Sequence, residues 1–319
     1  MKILFITHPY PNYAPDLLLH GLRKLMGADV VEYPRKSCLY EGVLGLGICP
    51  DNQLCPGWFP DDNDQINRED IWEKIRAGYF KYIICDYRAF SLLLDNLSDW
   101  PPGLVVIDGE DSPQKIPPGK YVICRRETDG SDFSIPLPMA LPEEILRWIS
   151  SYDNEHKEYS IGFLGSTLDG ERKRILDSLV NFYPDTLFQA TVVPTKTNTS
   201  PHGRFSRDEY YMNLQKCRIV LSLSGAGHDT FRFWENAACN AVHVSYRFPL
   251  YIPDNFIEGR HILRFSDINE LRKNVDIILE NKARAEDINK NGYSHLVNYH
   301  LTTVRATYFL DRIKLTFME

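Results

Sequence analysis

Residues 218–246 read RIVLSLSGAGHDTFRFWENAACNAVHVSY and decide the fold of this chain. An apolar run predicts a strand, the Ser-Gly-Ala-Gly turn ends it, a helix follows, and a second apolar run predicts another strand. A strand, a helix and a strand in this order predict a βαβ unit of a parallel sheet. The helix nevertheless carries Arg232 and Glu235 between two strands that the sequence predicts to be buried, so these charges need an explanation.

The same alternation of short apolar strands and helices runs through the rest of the chain, in two blocks that a polar, Pro-containing segment separates. It predicts an α/β fold of two Rossmann-like, doubly wound domains that face each other across a cleft, with C-terminal helices. We place the N-terminal domain at residues 1–140, a linker at 141–158 and the second domain at 159–298. A final helix, 299–319, is expected to pack back on the N-terminal domain.

Composition and charge exclude several classes of protein. The chain has 319 residues, a net charge of −7 and a pI near 5.8, which argues against nucleic acid as a partner. We expect no transmembrane segment, because no apolar run approaches the roughly 18 residues that a span needs; peripheral membrane contact stays allowed. Most of the seven cysteines lie in apolar runs, which predicts reduced core thiols and a cytoplasmic location.

The Ser-Gly-Ala-Gly turn at residues 224–227 has the composition of an anion-binding site. In open α/β sheets, ligands bind beyond the carboxyl ends of the strands, where the N–H groups of the next helix point outward. Gly225 and Gly227 permit the close backbone approach that a side chain would block. Ser222, Ser224 and Thr230 add hydroxyl donors. The turn is therefore expected to bind phosphate.

The helix that follows adds two complementary groups. Phe231, Trp234 and Ala238 share one face and are expected to pack on the sheet. On the neighbouring face, the Arg232 guanidinium suits phosphate oxygens and the Glu235 carboxylate suits the two vicinal hydroxyls of a ribose. Together these groups match a sugar nucleotide. The alternative is an i, i+3 ion pair on a solvated helix face, worth a few tenths of a kcal/mol.

Two segments resemble the donor-binding region of GT-B glycosyltransferases, most closely the bacterial group-1 branch that includes the CgeB-like proteins. The first is RFWENAACNAVHVS, in which Arg232 and Glu235 match an R-x-x-E-type pattern before a small–small–Val strand. The second is YSIGFLGSTLDGERKRIL, with Gly165 and Ser166 in the turn and Arg172 or Arg174 near the donor phosphates. The resemblance covers roughly residues 133–250 and is only architectural for the first domain.

The resemblance implies a glycosyltransferase of bacterial polysaccharide biosynthesis. It would move a sugar from a nucleotide diphosphate sugar, such as a UDP-sugar, to a hydroxyl of a glycan, lipid-linked saccharide or other acceptor. The second domain would bind the donor and the first domain the acceptor, with no metal or other cofactor required. Retaining relatives often have Glu-x7-Glu, and here Gly227 and then His228 stand where the first glutamate belongs, so the stereochemical outcome stays open.

The donor-binding prediction combines the turn, the helix and two loops. Lys196 and Arg204, in a polar loop, are candidates for binding the diphosphate, and Tyr210 or Tyr211 for stacking on the base; a solvated loop is the alternative. The predicted donor-binding residues are Gly165, Ser166, Arg172, Lys196, Ser224, Gly225, Gly227, Asp229, Thr230, Arg232, Glu235 and Asn236.

Three residues are candidates for catalysis. An inverting transfer needs a general base for the acceptor hydroxyl, and Asp16 or His8, after the first strand, can serve. Capping of the following helix is the alternative for Asp16. His228 at a helix N-terminus can bind a sugar or a diphosphate oxygen, with a simple capping role as its alternative.

Two other classes of function remain open from the sequence. Asp108, Glu110 and Asp111 follow a strand in a D-x-D-like cluster and are candidates for a divalent cation in a metal-dependent, GT-A-like transferase. A non-catalytic protein that binds sugars or nucleotides is the other alternative. Nucleotide diphosphate binding separates that class from the transferase, and sensitivity to a chelator separates the metal-dependent one.

Overall fold

A computed structural model describes residues 1–41, 58–60, 65–153, 156–165, 170–190 and 205–318. The strands are β1 (Ile3–Ile6), β2 (Val30–Tyr33), β3 (Tyr82–Asp86), β4 (Leu104–Asp108), β5 (Val122–Arg125), β6 (Ile135–Pro136), β7 (Tyr159–Gly165), β8 (Thr186–Ala190), β9 (Cys217–Ser222), β10 (Val242–Tyr246) and β11 (Leu263–Phe265). The α-helices are α1 (Tyr13–Met26), α2 (Ile71–Arg76), α3 (Phe90–Asn96), α4 (Glu143–Ser151), α5 (Gly170–Val180), α6 (Arg207–Gln215), α7 (Phe231–Ala238), α8 (Ile268–Glu280), α9 (Lys282–Tyr299) and α10 (Thr302–Thr316).

The chain forms two compact units. The first unit contains residues 1–142, 250–253 and 301–319, and the second contains residues 143–249 and 254–300. Each unit is built on one parallel sheet. The strand order is β2-β1-β3-β4-β5-β6 in the first unit and β11-β10-β9-β7-β8 in the second. In both sheets the first strand along the chain lies between the second and the third, which is the doubly wound order.

The sheet of the first unit is apolar on both faces, as a sheet covered by helices on both sides must be. Ile3 and Phe5 of β1 pack with the cluster that includes residues of α1 and α10, and Leu4 and Ile6 pack with the cluster that includes residues of α2 and α3. Gly21 lets α10 approach α1 closely, since a Cβ at this position would lie 2.0 Å from the Thr302 carbonyl oxygen. The sheet is thereby covered on both sides.

The sheet of the second unit has one apolar face and one partly polar face. Val242 and Val244 of β10 join the core that contains residues of α5 and α8. His243, between them, points to the other face, where its ring lies 4.8 Å from the ring of Phe233 on α7. Its buried Nε2 lies 2.8 Å from Ser222 Oγ. The face of this sheet that lies against α7 therefore contains buried polar side chains as well as aromatic ones.

Several features extend the sequence-based description. The sequence did not predict strands β6 and β11. They contain only two and three residues, Ile135–Pro136 and Leu263–Phe265, which is too few for a periodic pattern. Residues assigned to the linker include α4, which packs with α6 and α7. Among the helices of the described ranges, none combines the length and the apolar character needed to cross a membrane.

Candidate functional site

The site in the second unit lies at the carboxyl ends of β7 and β9. The connection after β7 leads to β8 on one side, and the chain later returns to β9 on the other side, so the strand order reverses between β7 and β9. Such a reversal separates the loops that follow the two strands, and ligands of open α/β sheets bind there. Strand β7 ends at Gly165 and strand β9 at Ser222.

Arg232, in the first turn of α7, lies against the end of β7. Its Nε donates a hydrogen bond to the Leu164 carbonyl oxygen at 2.7 Å, and its Cζ lies 4.8 Å from the centre of the Phe163 ring. A Cβ added to Gly165 would lie 2.0 Å from Arg232 Nη2. Glycine at position 165 is therefore what allows the guanidinium to rest on the backbone.

Arg172, from α5, reaches the same place from the other side of the turn. Its Nε donates to the Ser224 carbonyl oxygen at 2.6 Å and its Nη2 donates to the Leu223 carbonyl oxygen at 3.1 Å. A Cβ at Gly225 would lie 2.9 Å from Arg172 Nη2. Arg174, the other arginine considered, has a side chain that is 78% exposed and lies 3.8 Å from Glu171. Of the two, Arg172 faces the site.

Glu235 lies one turn further along α7 and is buried. Tyr211 donates its hydroxyl hydrogen to Glu235 Oε1 at 2.7 Å, and Tyr210 donates to Oε2 at 3.0 Å. Burial raises the pKa of the Glu235 carboxyl, and the two tyrosine hydroxyls and the charge of Arg232 oppose that rise. This environment excludes the surface ion pair that the sequence left as an alternative.

The turn between β9 and α7 is held by its own side chains. The Gly225 amide donates to the Gly227 carbonyl oxygen at 2.8 Å, and Ser224 Oγ lies 3.0 Å from His228 Nδ1. Asp229 is buried, and its Oδ1 accepts a hydrogen bond from the Trp234 indole at 2.8 Å. These hydrogen bonds stabilise the conformation of the turn in the ligand-free protein.

Thr230 and Asn236 mark the two ends of the contact between α7 and the sheet. Thr230 is the N-cap of α7, and its side chain makes no capping hydrogen bond. Asn236 is fully buried, and its Nδ2 donates to the Leu221 carbonyl oxygen and to Ser222 Oγ, both at 2.9 Å. The Asn236 amide therefore contacts β9. The sequence predicted one common face for Arg232, Glu235 and Asn236, but Arg232 and Glu235 lie at the site while Asn236 faces the sheet.

The catalytic candidates of the first unit have different surroundings. His8 is half-buried after β1, and its Nδ1 accepts a hydrogen bond from the Tyr10 amide at 3.3 Å. Asp16 is 1% exposed, forms an ion pair with Lys36, and accepts a hydrogen bond from the Asn12 amide at 2.8 Å. Helix α1 takes Asn12 as its N-cap, so the capping alternative for Asp16 is wrong. Complete burial also argues against direct contact between Asp16 and an acceptor hydroxyl.

The acidic cluster after β4 is engaged by the protein itself. Asp108 accepts a hydrogen bond from the Gln114 amide at 2.7 Å. Glu110 Oε2 accepts from Arg88 Nη2 at 3.0 Å, and Asp111 is paired with Arg126. Amides and arginines pair with these carboxylates, so a divalent cation would have to compete with them for oxygen ligands.

Three candidate donor-binding residues have no described position, and two contacts of Glu235 were not predicted from the sequence. Ser166, Lys196 and Arg204 lie outside the described residues. The sequence did not predict that the hydroxyls of Tyr210 and Tyr211 contact Glu235. The Ser206–Glu209 capping box marks the start of α6 in the sequence, but it does not show which residue this helix faces. The signal lies in the two adjacent tyrosines, but their partner is distant in sequence.

Three comparisons with known proteins bear on this site. The family model described as "Glycosyl transferase-like" matches residues 147–311, more than half of the chain. Among curated proteins, none matches by sequence. The fold is similar to that of Anabaena HepE, solved with UDP and glucose, at TM-score 0.60 and 12% identity over 98% of this chain and 99% of that one.

Other solved structures agree. Sucrose-phosphate synthase from Thermosynechococcus elongatus superposes with TM-score 0.56 and 11% identity over 100% of this chain and 99% of that chain. A glycosyltransferase from Rickettsia africae gives TM-score 0.57 and 9% identity over 100% and 98%. At these identities the likeness concerns the fold alone.

The two parallel-sheet units have the fold of GT-B glycosyltransferase structures, as the sequence predicts. The chain belongs to the glycosyl transferase-like family. The predicted enzyme class and the transfer of a sugar are thereby confirmed, and they are favoured over the metal-dependent and the non-catalytic alternatives.

Proposed function

We propose that this glycosyltransferase uses a nucleotide diphosphate sugar, with UDP as the nucleotide, and transfers the sugar to a hydroxyl group. One observation carries the proposal. Arg172 and Arg232 enter the carboxyl end of one sheet from two helices, with backbone carbonyl oxygens as their hydrogen-bond acceptors. Both guanidinium groups therefore lie at the strand ends, and a rigid fork of charged N–H donors suits the oxygens of a diphosphate. HepE, a protein of similar fold, was solved with UDP.

The same arrangement supports a mechanism. In sugar transfer the nucleoside diphosphate leaves with additional negative charge on its terminal phosphate. Arg172, Arg232 and the N-terminus of α7 would stabilise that charge, and groups fixed before the reaction do so at little reorganisation cost. Glu235, one turn away, would accept hydrogen bonds from the ribose hydroxyls. Ser224, Gly225, Gly227, Asp229 and Thr230 would form the turn that positions the diphosphate.

The first domain would bind the acceptor. His8 is the general base that we propose, because its half-buried ring follows β1 and its Nε2 is not the nitrogen that accepts from Tyr10. His228, held by Ser224, would contact the sugar or a diphosphate oxygen. We keep the boundaries 1–140, 141–158, 159–298 and 299–319 as the proposed functional division of the chain.

Finer assignments belong to the same proposal. The R-x-x-E-type pattern supports the CgeB-like branch of the group-1 enzymes and a place in bacterial polysaccharide biosynthesis. The net charge of −7 favours a glycan or lipid-linked saccharide over nucleic acid as acceptor. Five described cysteines, all free and buried, support a cytoplasmic location. No metal cofactor is proposed, because the acidic cluster is paired within the protein.

Calorimetric titration with UDP tests the proposal. We expect binding by the wild-type chain, and a dissociation constant about 10 to 100 times larger for Arg172→Met, because a hydrogen bond to a charged group contributes about 1.5–3 kcal/mol. Arg174→Met is the matched control and should bind like wild type. A chelator should abolish neither the binding of UDP nor the enzymatic release of UDP from UDP-glucose. A wild-type chain that binds no nucleoside diphosphate would refute the proposal, and loss of turnover with the chelator would restore the metal-dependent alternative.

A further inference from the structure

The carboxylate proposed to bind ribose already accepts a hydrogen bond at each of its two oxygens in the second unit. Both oxygens of Glu235 accept hydrogen bonds from adjacent residues of α6, with Tyr211 at 2.7 Å and Tyr210 at 3.0 Å. These contacts stabilise Glu235 in the ligand-free protein, because a buried carboxylate without hydrogen bonds is costly. A ribose that approaches the same oxygens meets a tyrosine hydroxyl at each of them, and in this buried site we expect it to compete with one of the two.

The two tyrosines differ in how firmly they are held. Tyr211 is 2% exposed, and its ring packs 6.2 Å from the ring of Trp148. Tyr210 is only half-buried, makes the longer hydrogen bond, and lies at the start of α6, one residue after the Glu209 of the capping box. Displacement of Tyr210, which is less buried and has the longer hydrogen bond, should therefore cost less free energy than displacement of Tyr211.

We propose that Tyr210 occupies the ribose position on Glu235 Oε2 until a nucleotide displaces it, while Tyr211 keeps Glu235 Oε1 oriented throughout. Tyr211 is thus a positioning residue, and Tyr210 is a residue that determines specificity. A ribonucleotide replaces the lost hydroxyl hydrogen bond with one of its own, but a nucleotide that lacks the hydroxyl leaves a buried carboxylate oxygen unpaired. Selection for the intact ribose follows from that difference.

This inference rests on the proposed function, because it requires a nucleotide at Glu235. The test compares UDP with 2′-deoxy-UDP and 3′-deoxy-UDP by calorimetry. We expect the wild-type chain to bind UDP about 10 to 100 times more tightly than at least one deoxy analogue. Glu235→Gln should reduce that ratio to within about threefold of unity, because the neutral amide accepts more weakly.

The tyrosine variants separate the two roles. Tyr210→Phe removes the competitor, so the dissociation constant for UDP should fall about 2- to 10-fold. Tyr211→Phe removes the orienting hydrogen bond, so the same constant should rise about tenfold and the preference for the ribonucleotide should shrink. Tyr183→Phe is the matched control, since Tyr183 also donates to a carboxylate, Asp276 Oδ1, at 2.6 Å in the same unit. It should leave both quantities unchanged.

The outcomes distinguish the two levels of the argument. If Tyr210→Phe weakens UDP binding or leaves it unchanged, displacement of Tyr210 is wrong. If UDP and both deoxy analogues bind the wild-type chain equally well, the role of Glu235 in selecting ribose is wrong while nucleotide binding stands. Failure of the wild-type chain to bind UDP at all contradicts the proposed function itself.

Discussion

The two sheets have the same strand order around their first strand, but the charges at the corresponding strand ends are treated differently. In the first unit, Asp16 after β1 and Lys36 after β2 form an ion pair whose side chains are 2% and 0% exposed. In the second unit, beyond β7 and β9, Arg232 donates to a backbone carbonyl oxygen and rests on the ring of Phe163. One place carries a buried ion pair, and the other carries a cation whose Nε donates to an uncharged carbonyl oxygen.

The same strand order thus carries a buried ion pair in one unit and a half-buried cationic group in the other. A neutralised and buried pair fixes the loops that follow the strands, because each charge is costly to expose or to leave alone. In the first unit the pair continues through Asn12, which donates from Nδ2 to Asp86 Oδ1 at 3.1 Å. A guanidinium on carbonyl oxygens keeps its net charge and attracts an anion. The comparison therefore supports the proposal that the second unit binds the anion.

The largest expected effect comes from breaking the ion pair of the first unit. Lys36→Met leaves Asp16 buried without its cation, and the free energy of unfolding should fall by about 3–5 kcal/mol. Urea denaturation measures the loss. The double variant Lys36→Met, Asp16→Leu removes both charges and should recover most of it. A loss below about 1 kcal/mol in the single variant would show that the pair is not essential to the fold of this region.

The same kind of substitution in the second unit should act on binding instead. Arg232→Met removes a hydrogen bond to a neutral carbonyl oxygen, and Glu235 keeps both of its tyrosine hydrogen bonds, so the free energy of unfolding should change by about 1 kcal/mol or less. The dissociation constant for UDP should rise about 10- to 100-fold. Urea denaturation and calorimetry on the same preparation check both halves. Equal effects of Arg232→Met and Lys36→Met on stability would erase the contrast between the two units.

A smaller effect is expected from the glycine beneath Arg232. The Cβ of Gly165→Ala would lie 2.0 Å from Arg232 Nη2 and must push the guanidinium off the backbone. We expect about tenfold weaker UDP binding by calorimetry. Gly170→Ala is the control, since a Cβ there has nothing within 4 Å. If both variants bind UDP like wild type, the position of Arg232 on Gly165 does not matter for the ligand.

The smallest effects are expected from pH, and they have opposite signs in the two units. Burial raises the pKa of Asp86 to about 6, so its contribution to stability is complete below its unfolded-state pKa and is lost as the pH rises through about 6. Burial lowers the pKa of His243 to about 3, so its contribution is present above the unfolded-state pKa near 6.5 and is lost as the pH falls.

Variants of these two residues should unmask the opposing slopes. Between pH 6 and pH 5, Asp86 should add about 1 kcal/mol to the free energy of unfolding and His243 should remove about 1 kcal/mol. Relative to wild type, Asp86→Asn should therefore lose stability over this step and His243→Gln should gain it. Urea denaturation at both pH values measures the changes. Changes of the same sign in the two variants would contradict the burial of one of these groups.

Much of the architecture could be read from the sequence. Apolar runs such as those of β1 and β9 are long enough for their periodicity to identify them, and the glycine turn before α7 predicts where β9 ends. The positions of Arg232 and Glu235 on that helix follow from the helical repeat. By contrast, the orientation of Asn236 toward β9 could not be predicted, because a repeat of 3.6 residues leaves a residue at the border of two faces undetermined.

The amino-acid sequence was sufficient to predict the parallel α/β class, the turn after β9 and the spacing of Arg232 and Glu235 one turn apart on α7. Each of these features depends on residues that are close together in the chain. Only the tertiary structure decided which charges are neutralised. Lys36 meets Asp16 after a strand has intervened, and the hydroxyls of Tyr210 and Tyr211 reach Glu235 from another helix. Partners of this kind come from separate βα segments, and the folding of the sheet is what brings them together.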